Sequence, residues 1–276
     1  MYKYFVIFTL FIFLFSCTND KPMGDLQIMD EQLKADLKTL SRARIFFGHQ
    51  SVGNNIIKGL DELNREAGKM ITIVEWQEGK EVPSAFFAHG LNGQNENPQS
   101  KCDAFAETLS KNFADSLDMA FFKFCYIDIK RDTDIKAMFD YYKQTIAKIK
   151  SLYPRLKIVH VSVPLRQIQS GWKASIKKLL GKPLGRVAEN IKRNQFNEML
   201  RAEYNNEAFF DLAKIESTFP DGKRMTFEED GKTYFSLIPA YSYDGSHLNS
   251  LGAKLAAKEM VRVLAGSLPV IETPNN

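Results

Sequence analysis

The sequence predicts an α/β fold with a mostly parallel sheet of five strands. Short apolar runs typical of buried strands alternate with segments of helical period between residues 41 and 264. This alternation favours parallel strands joined by right-handed crossovers. No internal repeat and no Pro/Ser-rich linker interrupts residues 40–268, so we expect one domain over residues 39–268 and a short tail over residues 269–276.

Composition limits the classes of partner and cofactor. The chain has 276 residues, of which 44% are apolar, as expected for a folded protein with a substantial core. A net charge of +4 without a basic tail gives no support for nucleic acid as a partner. The four histidines include no pair at a metal-ligand spacing, and no Cys-x-x-Cys occurs, so we predict neither a metal site nor a cofactor.

The N-terminus is predicted to be a targeting segment. Lys3 precedes an apolar run at residues 5–15 that is too short to span a bilayer, for which about 20 residues are needed. The run fits the apolar region of a signal peptide. The motif LFSC at residues 14–17 resembles the lipobox of bacterial lipoproteins. This resemblance implies a signal peptide over residues 1–17, a lipid on Cys17 and an exported protein anchored to a bacterial membrane, on the periplasmic side or the cell surface.

Two alternatives stay open for this segment, namely an ordinary membrane anchor and a soluble export signal with an incidental cysteine. Residues 18–38 are polar without a clear apolar period, and we predict that they form a tether. Export would permit a disulfide between Cys102 and Cys125. Cys125 lies in a strongly apolar run, however, where a buried free thiol is equally expected.

In the first half of the domain, strands are predicted at residues 43–47 and 70–76 from their apolar and β-branched composition. Helices are predicted at residues 54–67 and 103–113. Residues 83–101 contain Gly, Asn and Pro and are predicted to be a long loop, a kind of segment that is often functional.

The second half repeats this alternation. The most apolar internal stretch, residues 118–129, is predicted to be a central strand. His160 lies inside a further predicted strand and is interpreted as a hydrogen-bonded core residue. The other predicted elements are helices at 135–149, at 187–204 and from Asn249 onward, strands at 156–163 and 208–212, and a hairpin at 225–237 that turns at the Asp-Gly pair 230–231.

Two segments carry candidate catalytic residues. In YDGSHLN at residues 243–249, Asp244 and His247 are three residues apart, so the carboxylate can accept the Nδ1 proton and leave Nε2 free as a base. Ser51, in GHQSVG at residues 48–53, follows the first strand and lies at a helix N-terminus, where free N–H groups can stabilise an oxyanion. Alone, Ser51 could equally be a helix cap and Asp244 a turn residue. Their joint occurrence favours a serine hydrolase.

These blocks resemble the SGNH (GDSL-type) hydrolase family. That family has a flavodoxin-like three-layer α/β/α fold, an early catalytic serine and an Asp-x-x-His block before the last helix. The resemblance covers roughly residues 40–265 and implies Ser51 as nucleophile, His247 as general base and then acid, and Asp244 as the orienting carboxylate. The α/β-hydrolase fold is disfavoured, because its Gly-x-Ser-x-Gly motif would need glycine in place of His49.

Two blocks depart from the family pattern. The first reads GHQS rather than Gly-Asp-Ser, so the local turn must differ by a residue. The third is usually Gly-x-Asn-Asp, with its Asn in the oxyanion hole, but here it reads CYID at residues 125–128. Gly93 best matches the family's second-block glycine. We therefore predict an oxyanion hole made by the N–H groups of Ser51 and Gly93 and by the Asn95 amide, although Asn92 and Asn95 could also be ordinary turn residues.

The predicted function is ester hydrolysis through an acyl-enzyme, without a cofactor. Resemblance to the family and an exported location suggest O-acyl or O-acetyl groups of a glycan, or a related small ester. The candidate substrate-binding residues are His49, Asn92 and Trp172. Alternatively, His49 is a turn residue, and residues 167–186, which carry five basic and no acidic side chains around Trp172, are a solvated insertion.

A non-catalytic glycan-binding lipoprotein on the same fold is the competing prediction. It is motivated by the missing third-block Asn, whose loss would cost on the order of 10²–10³ in rate and so weakens but does not exclude catalysis. A lipase is a third possibility, although no long apolar lid is evident in the sequence.

Overall fold

The middle layer of the structure is a five-stranded sheet in which all strand pairs are parallel. This computed structural model describes residues 28–79, 81–110, 113–169, 180 and 185–268. The strands are β1 (Arg44–His49), β2 (Ile73–Glu75), β3 (Phe86–Leu91), β4 (Met119–Phe122) and β5 (Lys157–Ile158). They lie in the order β2-β3-β1-β4-β5. The predicted α/β fold with a parallel five-stranded sheet is confirmed.

Two further short strands form a separate parallel pair that continues from β5. β6 (His160–Val161) follows β5 after one residue and pairs in parallel with β7 (Phe209–Phe210). If β5 and β6 are taken as one strand, the order β3-β1-β4-β5/β6-β7 is the flavodoxin order, with β2 added at the edge. The winding reverses between β1 and β4, and the crevice at that reversal is where such folds bind ligands.

Helices cover both faces of the sheet. They are α1 (Glu31–Leu40), α2 (Ser51–Glu66), α3 (Pro98–Ser110), α4 (Ile135–Leu152), α5 (Val187–Glu203), α6 (Leu212–Glu216) and α7 (Ser250–Ser267). Alternate residues of a strand point to opposite faces, so Phe47 packs with α1, α2 and α7 whereas Phe46 packs with α3, α4 and α5. The three-layer α/β/α arrangement is therefore confirmed.

One strand was missed by the sequence prediction. Residues 83–101 were predicted to be a loop, but they contain β3 and the start of α3. β3 lies between β1 and β2, and its Phe86, Phe87 and Ala88 are buried. His89 and Gly90 interrupt the apolar pattern, which is why composition alone indicated a loop. The predicted strand at 208–212 is confirmed as β7, which pairs with β6 and not with the five strands of the main sheet.

The N-terminal boundary of the domain also needs correction. α1 lies inside the predicted tether, with Leu33, Leu37 and Leu40 buried in the same core as α7. The side chain of Asp30 accepts the N–H of Leu33 at 2.8 Å and caps the helix. The tether therefore does not extend to residue 38. Residues 1–27, with the predicted signal peptide and Cys17, lie outside the described residues.

Several local predictions are confirmed. The hairpin β8 (Thr226–Glu229) and β9 (Lys232–Phe235) turns at Asp230 and Gly231, both with positive φ. His160 is a buried core residue, with the Tyr142 hydroxyl 2.7 Å from its Nδ1. Cys102 and Cys125, left open by the sequence, are both buried free thiols. Within the described ranges, no helix is both long and apolar enough to cross a membrane.

Candidate functional site

Ser51 stands where β1 passes into α2 with a single residue between them. β1 ends at His49, Gln50 is the N-cap, and Ser51 is the first residue of the helix. The first backbone bond of α2 runs from the Asn54 N–H to the Gln50 carbonyl at 3.2 Å, so the preceding N–H groups have no acceptor within the helix. The Ser51 hydroxyl therefore lies among free donors at the positive end of the helix dipole.

The loop before α7 is closed by its own hydrogen bonds. Ser242 donates its hydroxyl to the His247 carbonyl at 2.6 Å and accepts the N–H groups of Gly245 and Ser246 at 2.8 and 3.1 Å. Gly245 has φ +80°, a conformation that favours glycine. Asn249 then caps α7 by accepting the Gly252 N–H at 3.0 Å. Hydrogen bonds between Ser242 and Asn249 thus set much of the conformation of the loop.

The structure brings Ser51, His247 and Asp244 into one hydrogen-bonded chain. The Ser51 Oγ lies 3.0 Å from the His247 Nε2. The His247 Nδ1 lies 2.6 Å from the Asp244 Oδ2, and the Asp244 Oδ1 accepts the N–H groups of Ser246 and His247 at 2.8 and 2.7 Å. In this arrangement the imidazole can take the serine proton while the carboxylate holds its other nitrogen in place.

Close packing of α2 on α7 joins these distant segments. A Cβ on Gly59 would lie 2.5 Å from the backbone of Ala253, so only glycine permits this approach. The side chain of Asn55 accepts the Leu248 N–H at 3.2 Å and ties the loop to α2. The two contacts set the distance between Ser51 and His247.

Electrostatics favour an ionised Asp244 beside the imidazole. Partial burial alone would raise the pKa of Asp244, but the hydrogen bonds from the backbone and ring of His247 and from the Ser246 N–H hold it below its ordinary value. Its side chain is 41% exposed, and that of His247 is 21% exposed. Solvent therefore reaches the histidine, as a site for a soluble substrate requires.

Two tyrosines frame His247. The Tyr243 ring stacks on the imidazole with centroids 5.8 Å apart, and Tyr126 contacts it edge-on at 5.6 Å. The Tyr126 hydroxyl lies 3.4 Å from the His247 Nε2, and burial raises the pKa of that hydroxyl. Tyr126 begins a 3₁₀ turn (Tyr126–Asp128) that follows β4 after three residues. Sequence reasoning gave it no role, because nothing in the CYID segment distinguishes it.

The predicted oxyanion loop lies next to Ser51 through Gln50. The Gln50 side-chain amide donates to the carbonyls of Gly93 at 2.7 Å and Asn92 at 3.3 Å. Gly93 has φ +61°, and a Cβ there would lie 2.6 Å from the Lys101 Cα. Within the described ranges, the Gly93 N–H donates to no backbone or side-chain acceptor. Gly93 is thus bonded to Gln50, the residue that precedes Ser51, and keeps its N–H free of acceptors among the described residues.

Asn92 and Asn95 have different surroundings. Asn92 is 2% exposed, and its side-chain amide donates to the Lys101 carbonyl at 2.9 Å, so it joins the end of β3 to α3. Asn95 is exposed, and its Oδ1 accepts from the Lys101 Nζ at 3.2 Å. That bond leaves the Asn95 Nδ2 available as a donor. The Asn92 side chain, in contrast, is buried and bonded within the protein, so it is not placed to bind a substrate.

A buried ion pair supports this loop, and sequence reasoning missed it. The Lys101 Nζ lies 2.5 Å from the Asp128 Oδ2, and both side chains are completely buried. Asp128 also accepts the N–H groups of Glu96 at 2.9 Å and Cys125 at 2.6 Å. The carboxylate therefore fastens the loop with Asn95 to the segment with Tyr126. No local sequence pattern links Lys101 to Asp128, so the pair could not be predicted.

His49 lies in the interior rather than at the surface of the site. It is 1% exposed, its Nε2 lies 3.1 Å from the His89 Nδ1, and its ring packs across Gly53. Burial, reinforced by the nearby charge of Lys123, lowers the pKa of His49 to about 3. A neutral, enclosed imidazole does not reach a substrate, so the predicted substrate-binding role is not supported. Trp172 lies outside the described residues, and within the described ranges no cluster of His, Cys, Asp and Glu could hold a metal ion.

Comparisons with known proteins identify similar structures but no sequence relative. No protein-family model matches the chain, and no curated protein matches it. Several similar solved structures are described as SGNH or GDSL-type hydrolases.

One of these is a protein from Parabacteroides merdae assigned as a GDSL-like lipase, with 11% identity and a TM-score of 0.49 over 82% of this chain and 97% of that one. Another, from Desulfitobacterium hafniense, is assigned to the G-D-S-L lipolytic family, with 11% identity and a TM-score of 0.47 over 80% and 99%. A third, from Slackia heliotrinireducens, is assigned as an SGNH hydrolase, with 13% identity and a TM-score of 0.43 over 82% and 98%. Such values indicate a similar fold and carry no information about activity.

Proposed function

We propose that the protein is a serine ester hydrolase that works through an acyl-enzyme. The observation that carries the proposal is the continuous chain from the Ser51 Oγ through both ring nitrogens of His247 to the Asp244 carboxylate, with distances of 3.0 and 2.6 Å. The three side chains come from opposite ends of the domain. They have the mutual geometry that nucleophilic catalysis by serine requires.

In the proposed reaction, the Ser51 Oγ bonds to the acyl carbon while its proton passes to the His247 Nε2. The tetrahedral intermediate collapses when the C–O bond to the alcohol breaks and His247 protonates the departing oxygen. Water then attacks the acyl-enzyme and gives a proton to His247, which returns it to Ser51 as the acid leaves. Asp244 stabilises the imidazolium formed in each half-reaction.

The oxyanion would be bound by donors on the β3–α3 side of the crevice. The N–H groups of Ser51 and Gly93 and the Asn95 Nδ2 are the proposed donors, with Asn95 in place of the third-block Asn that this chain lacks. Two observations support this assignment: Gln50 ties the Gly93 carbonyl to the serine turn, and Lys101 occupies the Asn95 Oδ1. Preorganised donors of this kind contribute strongly to acyl transfer.

The proposed substrates are O-acyl or O-acetyl groups on a glycan or a related small ester. Tyr243 is 65% exposed beside His247, and Leu91 at the end of β3 is 74% exposed. An exposed aromatic face at the mouth of the site suits the apolar face of a sugar ring. We also propose that a lipid on Cys17 anchors the enzyme to a bacterial membrane, where glycan esters would be accessible.

A fluorophosphonate probe tests the reaction class directly. We expect the probe to label Ser51, and Ser51→Ala to abolish both labelling and hydrolysis of 4-nitrophenyl acetate. Ser250→Ala is the matched control, because Ser250 is also the first residue of a helix but its hydroxyl bonds Glu62 at 3.2 Å. Acetate release by Ser51→Ala at the wild-type rate would refute the proposal.

A non-catalytic glycan-binding protein is the second candidate function. The observation in its favour is Ile127, which occupies the place of the missing oxyanion Asn. Calorimetry with an O-acetylated oligosaccharide and its de-O-acetylated form, alongside the labelling experiment, separates the two. Binding without any labelling of Ser51 would favour the binding protein.

A further inference from the structure

Two arginines lie against the loop that carries His247, and neither is needed for the proposed chemistry. The Arg166 Nε donates to the Ser246 Oγ at 2.8 Å, and its guanidinium lies 4.9 Å from the centre of the Tyr126 ring. The Arg186 Nη1 donates to the Gly245 carbonyl at 3.0 Å. The two side chains therefore contact consecutive residues of one loop, immediately before His247.

The backbone of Arg166 is held firmly in this position. Its N–H donates to the Asn190 Oδ1 at 3.0 Å, and the Asn190 amide donates to its carbonyl at 2.6 Å. Asn190 is completely buried and also accepts from the Arg193 Nη1 at 2.7 Å. Arg193 in turn donates to the Tyr126 carbonyl at 2.9 Å. The network fixes Arg166 relative to Tyr126 and the loop.

The guanidinium charges of Arg166 and Arg186 are not matched by close carboxylates. Within the described ranges, no carboxylate oxygen lies within 4.0 Å of either. Asp244 and Glu189 act on Arg166 from further away, and Asp244 is already engaged by His247. The pKa of Arg166 is lowered, first by burial and then by the charge of Arg186, as two neighbouring cations require. Such a pair is a favourable place for an anion.

We infer that Arg166 and Arg186 form a subsite for an anionic group, such as a carboxylate, carried by the ester substrate. Guanidinium groups bind carboxylates through paired N–H donors, and Arg166 keeps its terminal nitrogens free of hydrogen bonds to the described residues. The subsite lies on the Tyr126 side of the crevice, so it would orient one part of the substrate while the ester meets Ser51. This inference rests on the proposed function and specifies its substrate class as acidic esters.

Matched esters test the subsite. The anionic 4-acetoxybenzoate and its neutral methyl ester carry the same acetyl group, and alkaline hydrolysis of each corrects for intrinsic reactivity. For the wild type we expect the corrected ratio of kcat/KM to favour the anionic ester by about tenfold or more, and added NaCl to reduce that preference. Arg186→Gln should lower the ratio about tenfold. Arg262→Gln, which removes an exposed arginine of α7, should leave it at the wild-type value.

Arg166 requires a conservative variant, because its Nε also supports Ser246. Arg166→Lys keeps the charge and should retain more of the preference than Arg166→Gln. No preference in the wild type, or equal losses on both esters in Arg186→Gln, would overturn the subsite. If the wild type hydrolyses neither ester, the proposed function fails instead. Calorimetric binding of 4-hydroxybenzoate, expected to weaken about tenfold in Arg186→Gln, then decides the subsite without turnover, and equal binding by both proteins would refute it.

Discussion

The two walls of the site are built in opposite ways. The His247 wall is stabilised mainly by hydrogen bonds between residues 242 and 249, with further contacts from Asn55, Arg166 and Arg186, and its acidic residue is 41% exposed. The Asn95 wall depends on Lys101 and Asp128, which are 27 residues apart in sequence and completely buried. One wall is therefore a local loop that solvent reaches, and the other is a buried charge network between two segments.

Because of this difference, we expect substitutions in the two walls to affect activity and stability to different extents. A change at an exposed, locally bonded residue removes an interaction but leaves no uncompensated buried group. A change at one member of a buried ion pair leaves the other charged and without its partner in the interior. We therefore expect variants of the His247 wall to affect mainly catalysis, and variants of the Asn95 wall to affect both catalysis and folding.

The largest expected effect is loss of the Asp244 charge. Asp244→Asn should lower kcat about 10⁴-fold, because an amide no longer stabilises the imidazolium and favours the wrong tautomer of His247. The urea midpoint should change little, because the amide oxygen can still accept the N–H groups of Ser246 and His247. Asp61→Asn, an exposed ion-pair residue of α2, is the control for ester turnover. A kcat within tenfold of wild type would contradict the assigned role of Asp244.

Breaking the buried pair should have the next largest effect. Lys101→Met leaves the Asp128 carboxylate buried without its cation, which costs about 3–5 kcal/mol in free energy of unfolding. The double variant Lys101→Met/Asp128→Asn removes both charges and should recover most of that loss in urea titrations. Its kcat should stay low, because the Asn95 amide is no longer oriented. Recovery of full activity by the double variant would show that the pair does not position the loop.

The His247 wall could be predicted from the sequence, whereas the contacts of the Asn95 wall could not. Asp244 and His247 were identifiable because their spacing and the Asn249 cap lie in one short segment. Ser51 was identifiable because an apolar run precedes it and a helix follows. Lys101 and Asp128 could not be paired, since their contact depends on how α3 packs beside the end of β4.

The two elements missed in the fold prediction, β3 and α1, also depend on contacts that are distant in sequence. β3 was missed because His89 and Gly90 interrupt the apolar pattern of its sequence. Its assignment as a strand depends on pairing with β1 and β2, which the sequence does not show. α1 was missed because its three leucines form a single short stripe that gains stability only against α7. The helices α4, α5 and α7 and the Asp-Gly hairpin, whose signals are local, were predicted with nearly the bounds that the structure has, whereas α3 begins five residues before its predicted start.

A smaller effect is expected at the proposed oxyanion donor. Asn95→Ala should lower kcat about 10²-fold with little change in KM, because the donor acts on the oxyanion formed in the transition state. Gln94→Ala changes the neighbouring exposed side chain of the same loop and is the control. Steady-state kinetics with 4-nitrophenyl acetate measure both. Wild-type kcat in Asn95→Ala would exclude Asn95 from the oxyanion hole.

The smallest expected effect is on the acid sensitivity of the domain, through two buried histidines outside both walls. Burial lowers the pKa of His49 to about 3 and that of His160 to about 4, whereas an unfolded histidine titrates near 6.5. Between these pH values the unfolded chain binds more protons than the native protein. The contribution of these histidines to the free energy of unfolding is therefore fully present above pH 6.5 and is lost as the pH falls.

Each histidine contributes a slope of up to about 1.4 kcal/mol per pH unit in that window. Urea titrations between pH 7.5 and 4.5 should therefore give a shallower slope for His49→Gln than for the wild type. His160→Gln makes the same test at β6. The decreases in slope caused by the two substitutions should add, because the two histidines share no partner. An unchanged slope in His49→Gln would mean that His49 is not held neutral in the native protein.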